Sequence, residues 1–236
     1  MDRIKIPKEI ANIKKTVFFT AGVFFVNRIP FFVSLSRKID FTGVSRLKVR
    51  TVEIIFDAFK AVFRLYIQKG FHIQTVHVND EFGVLKYLIQ NTPAGPRVNL
   101  TSANKHVTEI ERRIHVVKDR SHAFFHSLMF NLTPKLMTIH AILNIAKMLN
   151  YFPTKEGIFS ELSPCSILTG ESLDYKKKLT LHPGKYCQLH ENEVPWNSDK
   201  ARTKGSICIG SCGNLQGGFK FISLQTGQNI TRYNWD

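Results

Sequence analysis

Val76-His77-Val78-Asn79-Asp80-Glu81-Phe82 decides how the chain is read, together with Ile110-Glu111-Arg112-Arg113-Ile114 further on. The first stretch is a β-branched, apolar strand that runs into an acidic turn. The second belongs to a helix, because Val107, Ile110, Ile114, Val117, Phe124 and Leu128 recur at helical steps and leave Arg112, Arg113, Lys118 and Arg120 to the outside. A strand that ends on acids, followed by a helix carrying Glu111 beside arginines, sets carboxylates next to a cationic surface.

Upstream, Val17 to Val26 and Ile29 to Ser36 are rich in Phe and Val, and Asn27-Arg28 between them has the length of a hairpin turn. Their nearly continuous apolar runs predict strands covered on both faces. A third strand is expected near Phe41 to Arg46, completing an antiparallel meander. Helix is expected from Arg50 to Gln68, where Ile55, Phe59, Val62, Phe63 and Tyr66 recur at three and four residue steps and Gly70 supplies the stop. Phe71 to Val78 reads as a buried strand, Glu81 to Gln90 as a short helix, Val98 to Thr101 as a further strand and Pro134 to Leu149 as a second apolar helix. This order predicts an α/β fold with helices on both faces of a mixed sheet.

After it, Tyr151 to Leu181 reads as an irregular connector, with Pro153, Gly157, Pro164, Gly170 and the run Lys176-Lys177-Lys178. From Lys185 to Asp236 short β-rich pieces alternate with glycine turns, which predicts a small barrel.

The chain has 236 residues, 43% of them apolar, enough to bury a core; folding at this size removes roughly 70% of the unfolded surface from water. Lys and Arg number 33 against 18 Asp and Glu, a formal charge of +15. That balance attracts polyanions, and nucleic acid is the partner it favours first, ahead of an anionic membrane surface. The apolar stretch Thr16 to Val26 is about half the ~20 residues a spanning helix needs, and Asn27-Arg28 and Pro30 interrupt it. No membrane partner is expected. Cys165, Cys187, Cys208 and Cys212 all lie in the last third without a cleavable signal ahead of them, so reduced thiols in an intracellular, non-secreted protein are expected. Cys208 and Cys212 with His182, Cys187 and His190 match no standard zinc spacing.

Four stretches together carry a resemblance. Phe25 to Arg37, Gly70 to His77, Glu109 to Arg120, and Leu162-Ser163-Pro164 with Leu168-Thr169-Gly170 resemble the integrase segment of copia-type retrotransposon polyproteins, in the version found in diatom-like algal genomes. Ala201 to Gly205 and Gly213 to Phe219 resemble the small barrel that follows this core. The resemblance runs from about residue 16 to the end. It implies a ribonuclease-H-like mixed five-stranded sheet with flanking helices over residues 14–152, a linker over 153–181 and a small β-barrel over 182–236. It also implies DNA as partner (element ends and target), Mg²⁺ or Mn²⁺ as cofactor for whatever activity remains, a possible homo-oligomer and work in the nucleus.

Such integrases hold paired cations with an Asp-Asp-Glu triad, because in-line phosphoryl transfer clamps the attacking and leaving oxygens between two hard ions. The third acid falls on Glu111. The first belongs in the pattern Ala-Asp-Val-x-x-Val-Asn, and here Ala21 is followed by Gly22. The second belongs at the end of the fourth strand, where the residue is Asn79. Glycine offers no side-chain ligand, and asparagine offers a neutral carbonyl in place of an anion. Asp80 or Glu81 could substitute, but strand side chains alternate faces, so Asp80 serves as a metal ligand beside Glu111 only if the turn swings it back. The expectation is a retained fold with strand transfer lost or badly weakened.

Lys105, Arg112, Arg113, Lys118 and Arg120 are the candidate nucleic-acid contacts, against a plain reading as a solvated helix face. Likewise Glu109 with Arg113, or Glu111 with His115, stands at the i,i+4 spacing of ordinary helix-surface pairs. The alternative function is a non-catalytic DNA- or RNA-binding or assembly remnant of a transposable element. A peripheral membrane protein inserting residues 17–33 is the third class considered.

Overall fold

The computed structural model describes residues 16–101, 107–130, 132–155, 161–190, 202–212 and 217–236. They divide into two compact units, one of the described residues within 16–123 and 145–173 and the other of those within 124–144 and 174–236.

The first unit is built on β1 (Thr16–Val26), β2 (Ile29–Ser36), β3 (Thr42–Arg46), β4 (His72–Val78) and β5 (Arg97–Leu100). Their order in the sheet is β3-β2-β1-β4-β5. β2 runs antiparallel to β1 and β3, while β4 is parallel to β1 and β5 to β4. This is a mixed five-stranded sheet, as the sequence predicts. Asn27 and Arg28 both take positive φ, 48° and 63°, the conformation whose twist matches a two-residue hairpin.

One face of the sheet packs on α1 (Val52–Gln68). Phe19 meets Tyr66 edge to face at 5.0 Å between centroids, and Phe32 meets Phe59 at 4.8 Å. All four rings are fully buried, and each such side chain contributes about 1.5–3 kcal/mol through its removal from water. The Tyr66 hydroxyl donates to Ser36 Oγ at 2.9 Å, and burial pushes its pKa well above the usual phenol range. The stretch expected as one helix from Glu81 is instead a 3-10 turn over Asp80–Leu85 followed by α2 (Lys86–Gln90). Gly83 stands at its middle and weakens helical continuity there.

The opposite face receives α3 (Thr108–His126), whose Ile110, Ile114, Val117 and Ser121 are buried. The following helix, α4 (Lys135–Tyr151), ends with Asn150 against β3. Its carboxamide accepts from the Thr42 amide at 2.7 Å and donates to the Thr42 carbonyl at 2.8 Å, so the edge strand's open backbone groups are paired by a side chain. Within the stretch read as a connector lie α5 (Pro164–Thr169), capped by Ser163 and ended by Gly170 at φ 72°, and α6 (Tyr175–Leu179). Ile167 and Leu168 of α5 join the core of the first unit.

The second unit holds an antiparallel sheet of β6 (Tyr186–His190), β7 (Thr203–Ser211), β8 (Phe219–Ser223) and β9 (Asn229–Arg232), paired in that order. It curls onto itself: Leu189 of β6 bridges Trp235, and the Gln188 and Asp236 backbones exchange hydrogen bonds of 2.9 and 3.0 Å. Cys187, Leu189, Cys208, Phe219 and Phe221 fill the inside, with Trp235 against Phe219 at 5.0 Å. Gly210, at φ 130°, marks the bulge that bends β7. No described helix is long and apolar enough to cross a membrane.

Candidate functional site

Gly22 on β1, Asn79 just past β4 and Glu111 on α3 are the positions expected of the triad, and the sheet register brings the first two side by side. Thr20 lies opposite His77 and Ala21 opposite Val78, so Gly22 and Asn79 are next in line on neighbouring parallel strands. Gly22 faces α3. A Cβ placed on it would stand 3.5 Å from Ile110 Cγ1 and 3.7 Å from Ile114 Cδ1. Glu111 follows Ile110 directly. Asn79 reaches the same helix from the other strand: its Oδ1 accepts from the Val107 amide at 3.1 Å, and the Val107 carbonyl in turn accepts from the Glu111 amide at 3.2 Å. The contacts of Gly22 and Asn79 thus fall between Val107 and Ile114, the stretch that carries Glu111, about two turns or roughly 10.5 Å of helix.

The chemistry at that convergence is not that of an acid cluster. Gly22 is buried beneath two isoleucines. Asn79 already uses its carbonyl oxygen on a backbone amide. Asp80 opens the 3-10 turn as an exposed residue, and Glu81 is ion-paired with Arg50. Among the described residues no group of three or more His, Cys, Asp or Glu stands close enough to hold a metal ion. Paired Mg²⁺ or Mn²⁺ ions demand several anionic oxygens; one glutamate, a neutral carboxamide and an apolar lid do not fit them.

His77, two residues before Asn79, borders the site. Its Nδ1 is 3.3 Å from Asn99 Nδ2. Burial lowers its pKa, the Arg37 charge adds to the lowering, and Glu109 opposes it. Ile110 and Ile114 were legible as core, but their role as the cover over Gly22 depends on the helix crossing angle, for which the sequence carries no signal.

No protein-family model matches the chain, and no curated protein matches it. Among solved structures, the catalytic core domain of BIV integrase is similar with a TM-score of 0.43 and 14% identity, covering 64% of this chain and 92% of that one. The HTLV-2 integrase catalytic core domain, in complex with magnesium and in a trimeric form, is similar with a TM-score of 0.47 and 15% identity, covering 64% and 94%.

The candidate cations divide by surroundings. Lys105 lies outside the described residues. Arg112 and Arg120 are exposed and Lys118 is half-buried. Arg113 is ion-paired with Asp40, the two side chains only 15% and 20% exposed, so its guanidinium ties α3 to the β2–β3 turn. Glu109 pairs with Arg37 at 2.6 Å, a partner from that same turn. His115 stands 3.5 Å from Asp119, at i,i+4 on the exposed side of the helix.

Proposed function

We propose that this chain is an integrase-like, DNA-binding protein descended from a copia-type retrotransposon polyprotein of the diatom-like kind, in which metal-dependent strand transfer is lost or badly weakened. The proposal takes residues 14–152 as the integrase-like core, 153–181 as linker and 182–236 as the small barrel. It includes element ends and target DNA as ligands, assembly with further copies, and work in the nucleus.

The observation that supports this reading is that Gly22 and Asn79, from neighbouring strands, both contact the Val107–Ile114 stretch that carries Glu111, with a single carboxylate among the three. A formal charge of +15 supports a polyanionic partner. The same donor set favours, within this reading, a non-catalytic binding or assembly remnant over a slow enzyme.

The test compares the parent with Gly22→Asp/Asn79→Asp. The parent is expected to bind duplex DNA with an affinity that falls steeply with salt and is indifferent to chelator. Only the double variant is expected to be stabilised by Mn²⁺ in thermal unfolding. Mn²⁺-dependent strand transfer by the parent would refute the loss of chemistry, and salt-insensitive DNA binding would refute the phosphate-driven mode.

A further inference from the structure

A cleft of about 370 Å³ opens between the β2–β3 turn and α3. Leu35 and Val116 contribute its apolar lining. Its polar walls are Arg37, Lys38 and Asp40 from the turn and Glu109, Arg112 and Arg113 from the helix. Four cations face two carboxylates, leaving two positive charges in excess.

The carboxylates are already engaged. Arg37 binds Glu109 and Arg113 binds Asp40, so two ion pairs cross-link the turn to successive turns of the helix. They fix the two walls relative to each other. Lys38 and Arg112 are both exposed, and among the described residues neither has a carboxylate partner. Lys38 takes φ 70° in a turn where Asp40 takes φ 59°, and its ammonium stands 5.7 Å from the Phe18 ring. The left-handed backbone is maintained at two non-glycine positions, which is uncommon outside sites where the surroundings hold it.

From this geometry we infer that the cleft between the β2–β3 turn and α3 is a phosphate-binding site, with Lys38 and Arg112 as the direct ligands and Arg37 and Arg113 as a second, ion-paired rank. The size suits one nucleotide unit. Arginine presents a planar fork matched to phosphate oxygens, and lysine adds a point charge. The ligand chemistry is a phosphate group, carried by a nucleic-acid backbone or by a free polyphosphate. In its nucleic-acid form this assignment rests on the DNA-binding reading above, whose candidate contacts include Arg112 and Arg113, and adds Lys38 and the turn to them.

The full-length chain is titrated with inorganic pyrophosphate and, separately, with a short duplex oligonucleotide at several salt concentrations. The variants are Lys38→Ala/Arg112→Ala and, as a control that removes one positive charge elsewhere, Lys60→Ala; Lys60 pairs with Asp57 on α1, on the sheet's other side. Circular dichroism confirms that each is folded. The double variant is expected to bind pyrophosphate about 10-fold more weakly, and to lower the slope of log K against log salt for DNA by about 2. Lys60→Ala is expected to change neither by more than about 2-fold. Pyrophosphate binding lost in the double variant with DNA binding unchanged assigns the site to a free polyphosphate; loss of both assigns it to the nucleic-acid backbone. A chain that binds pyrophosphate here but no DNA retains this site and refutes the integrase-like reading. If the double variant binds both probes as the parent does, or Lys60→Ala weakens them equally, the cleft is no phosphate site.

Discussion

The Asn79 carboxamide oxygen accepts a hydrogen bond from the Val107 amide at 3.1 Å, directly ahead of the helix that carries Glu111. A side chain on the fourth strand therefore caps the helix that crosses the sheet. Removing the acceptor leaves a half-buried amide without its partner, so Asn79→Ala is expected to lower stability by about 1 kcal/mol. Asn79→Asp keeps the acceptor and adds a negative charge at a helix N-terminus, so it is expected to match or exceed the parent at neutral pH. That gain disappears as pH falls through the lowered pKa of the new carboxyl. Urea unfolding of both variants at neutral and acidic pH measures it; equal losses in the two would show that the bond carries no weight.

His77 supplies a pH dependence of its own. Burial and the Arg37 charge hold its folded pKa below the ordinary imidazole value. The unfolded chain then binds more protons in that window, so stability is full above the ordinary imidazole range and falls as pH drops towards the lower folded value. His77→Gln, which retains a partner for Asn99, is expected to flatten this part of the stability profile. Unfolding midpoints in urea between pH 7.5 and 5.5 check it, and a parallel slope in the variant would assign the dependence to other groups.

Two neighbouring groups at the β3 edge should respond in opposite senses. Asn150 pairs both backbone groups of Thr42, so Asn150→Ala strands a buried donor and acceptor and is expected to cost about 2–4 kcal/mol. The Thr42 hydroxyl, by contrast, is buried with no hydrogen-bond partner among the described residues. Thr42→Val leaves the paired backbone intact and is expected to be neutral or to stabilise by up to about 1 kcal/mol. Calorimetric Tm values for the two variants give the comparison directly.

The parts of the fold that were legible are those set by neighbours in sequence. Asn27-Arg28 between two Phe-rich runs specifies a hairpin, and Ile55, Phe59 and Phe63 mark the buried stripe of α1. Cys187, Leu189, Phe219 and Phe221 alternate inward, so the curled sheet was readable from period two. What escaped is pairing across the chain. Arg37 meets Glu109 and Arg113 meets Asp40 over separations of 72 and 73 residues, and helix spacing pointed instead to Glu109 with Arg113. The cap on Val107 escaped for the same reason: Asn79 as a lost acid was legible, whereas Asn79 as a helix cap needs the two elements in place.

Thiol reactivity should sort by burial. Burial pushes the Cys208 thiol up to about 12, and raises that of Cys187 as well. Cys165 and Cys212 are only partly buried. An aromatic disulfide reagent at pH 8 is expected to label Cys165 and Cys212 first, and all four only after denaturation. Mass spectrometry of peptides from the native, labelled protein reads the order, and early labelling of Cys208 would contradict its place inside the curled sheet.

Gly22 decides whether the triad geometry is more than a coincidence of topology. A Cβ there makes ordinary contact with Ile110 and Ile114 at 3.5 and 3.7 Å, so Gly22→Ala is expected to fold and to be stabilised by up to about 1 kcal/mol, since alanine restricts the unfolded chain. Gly22→Asp places a carboxylate against the same isoleucines. Without metal it is expected to lose about 1–3 kcal/mol to desolvation. Combined with Asn79→Asp the two anions repel, and the loss should deepen. Mn²⁺ reverses the sign, because a cation held between introduced carboxylates and Glu111 stabilises only the folded form, by about 2.7 kcal/mol at a hundred times its Kd. Thermal unfolding of parent, single and double variants with and without Mn²⁺ separates these terms. A double variant that folds yet ignores Mn²⁺ would mean that Gly22, Asn79 and Glu111 meet at one helix without ever forming a common ion site.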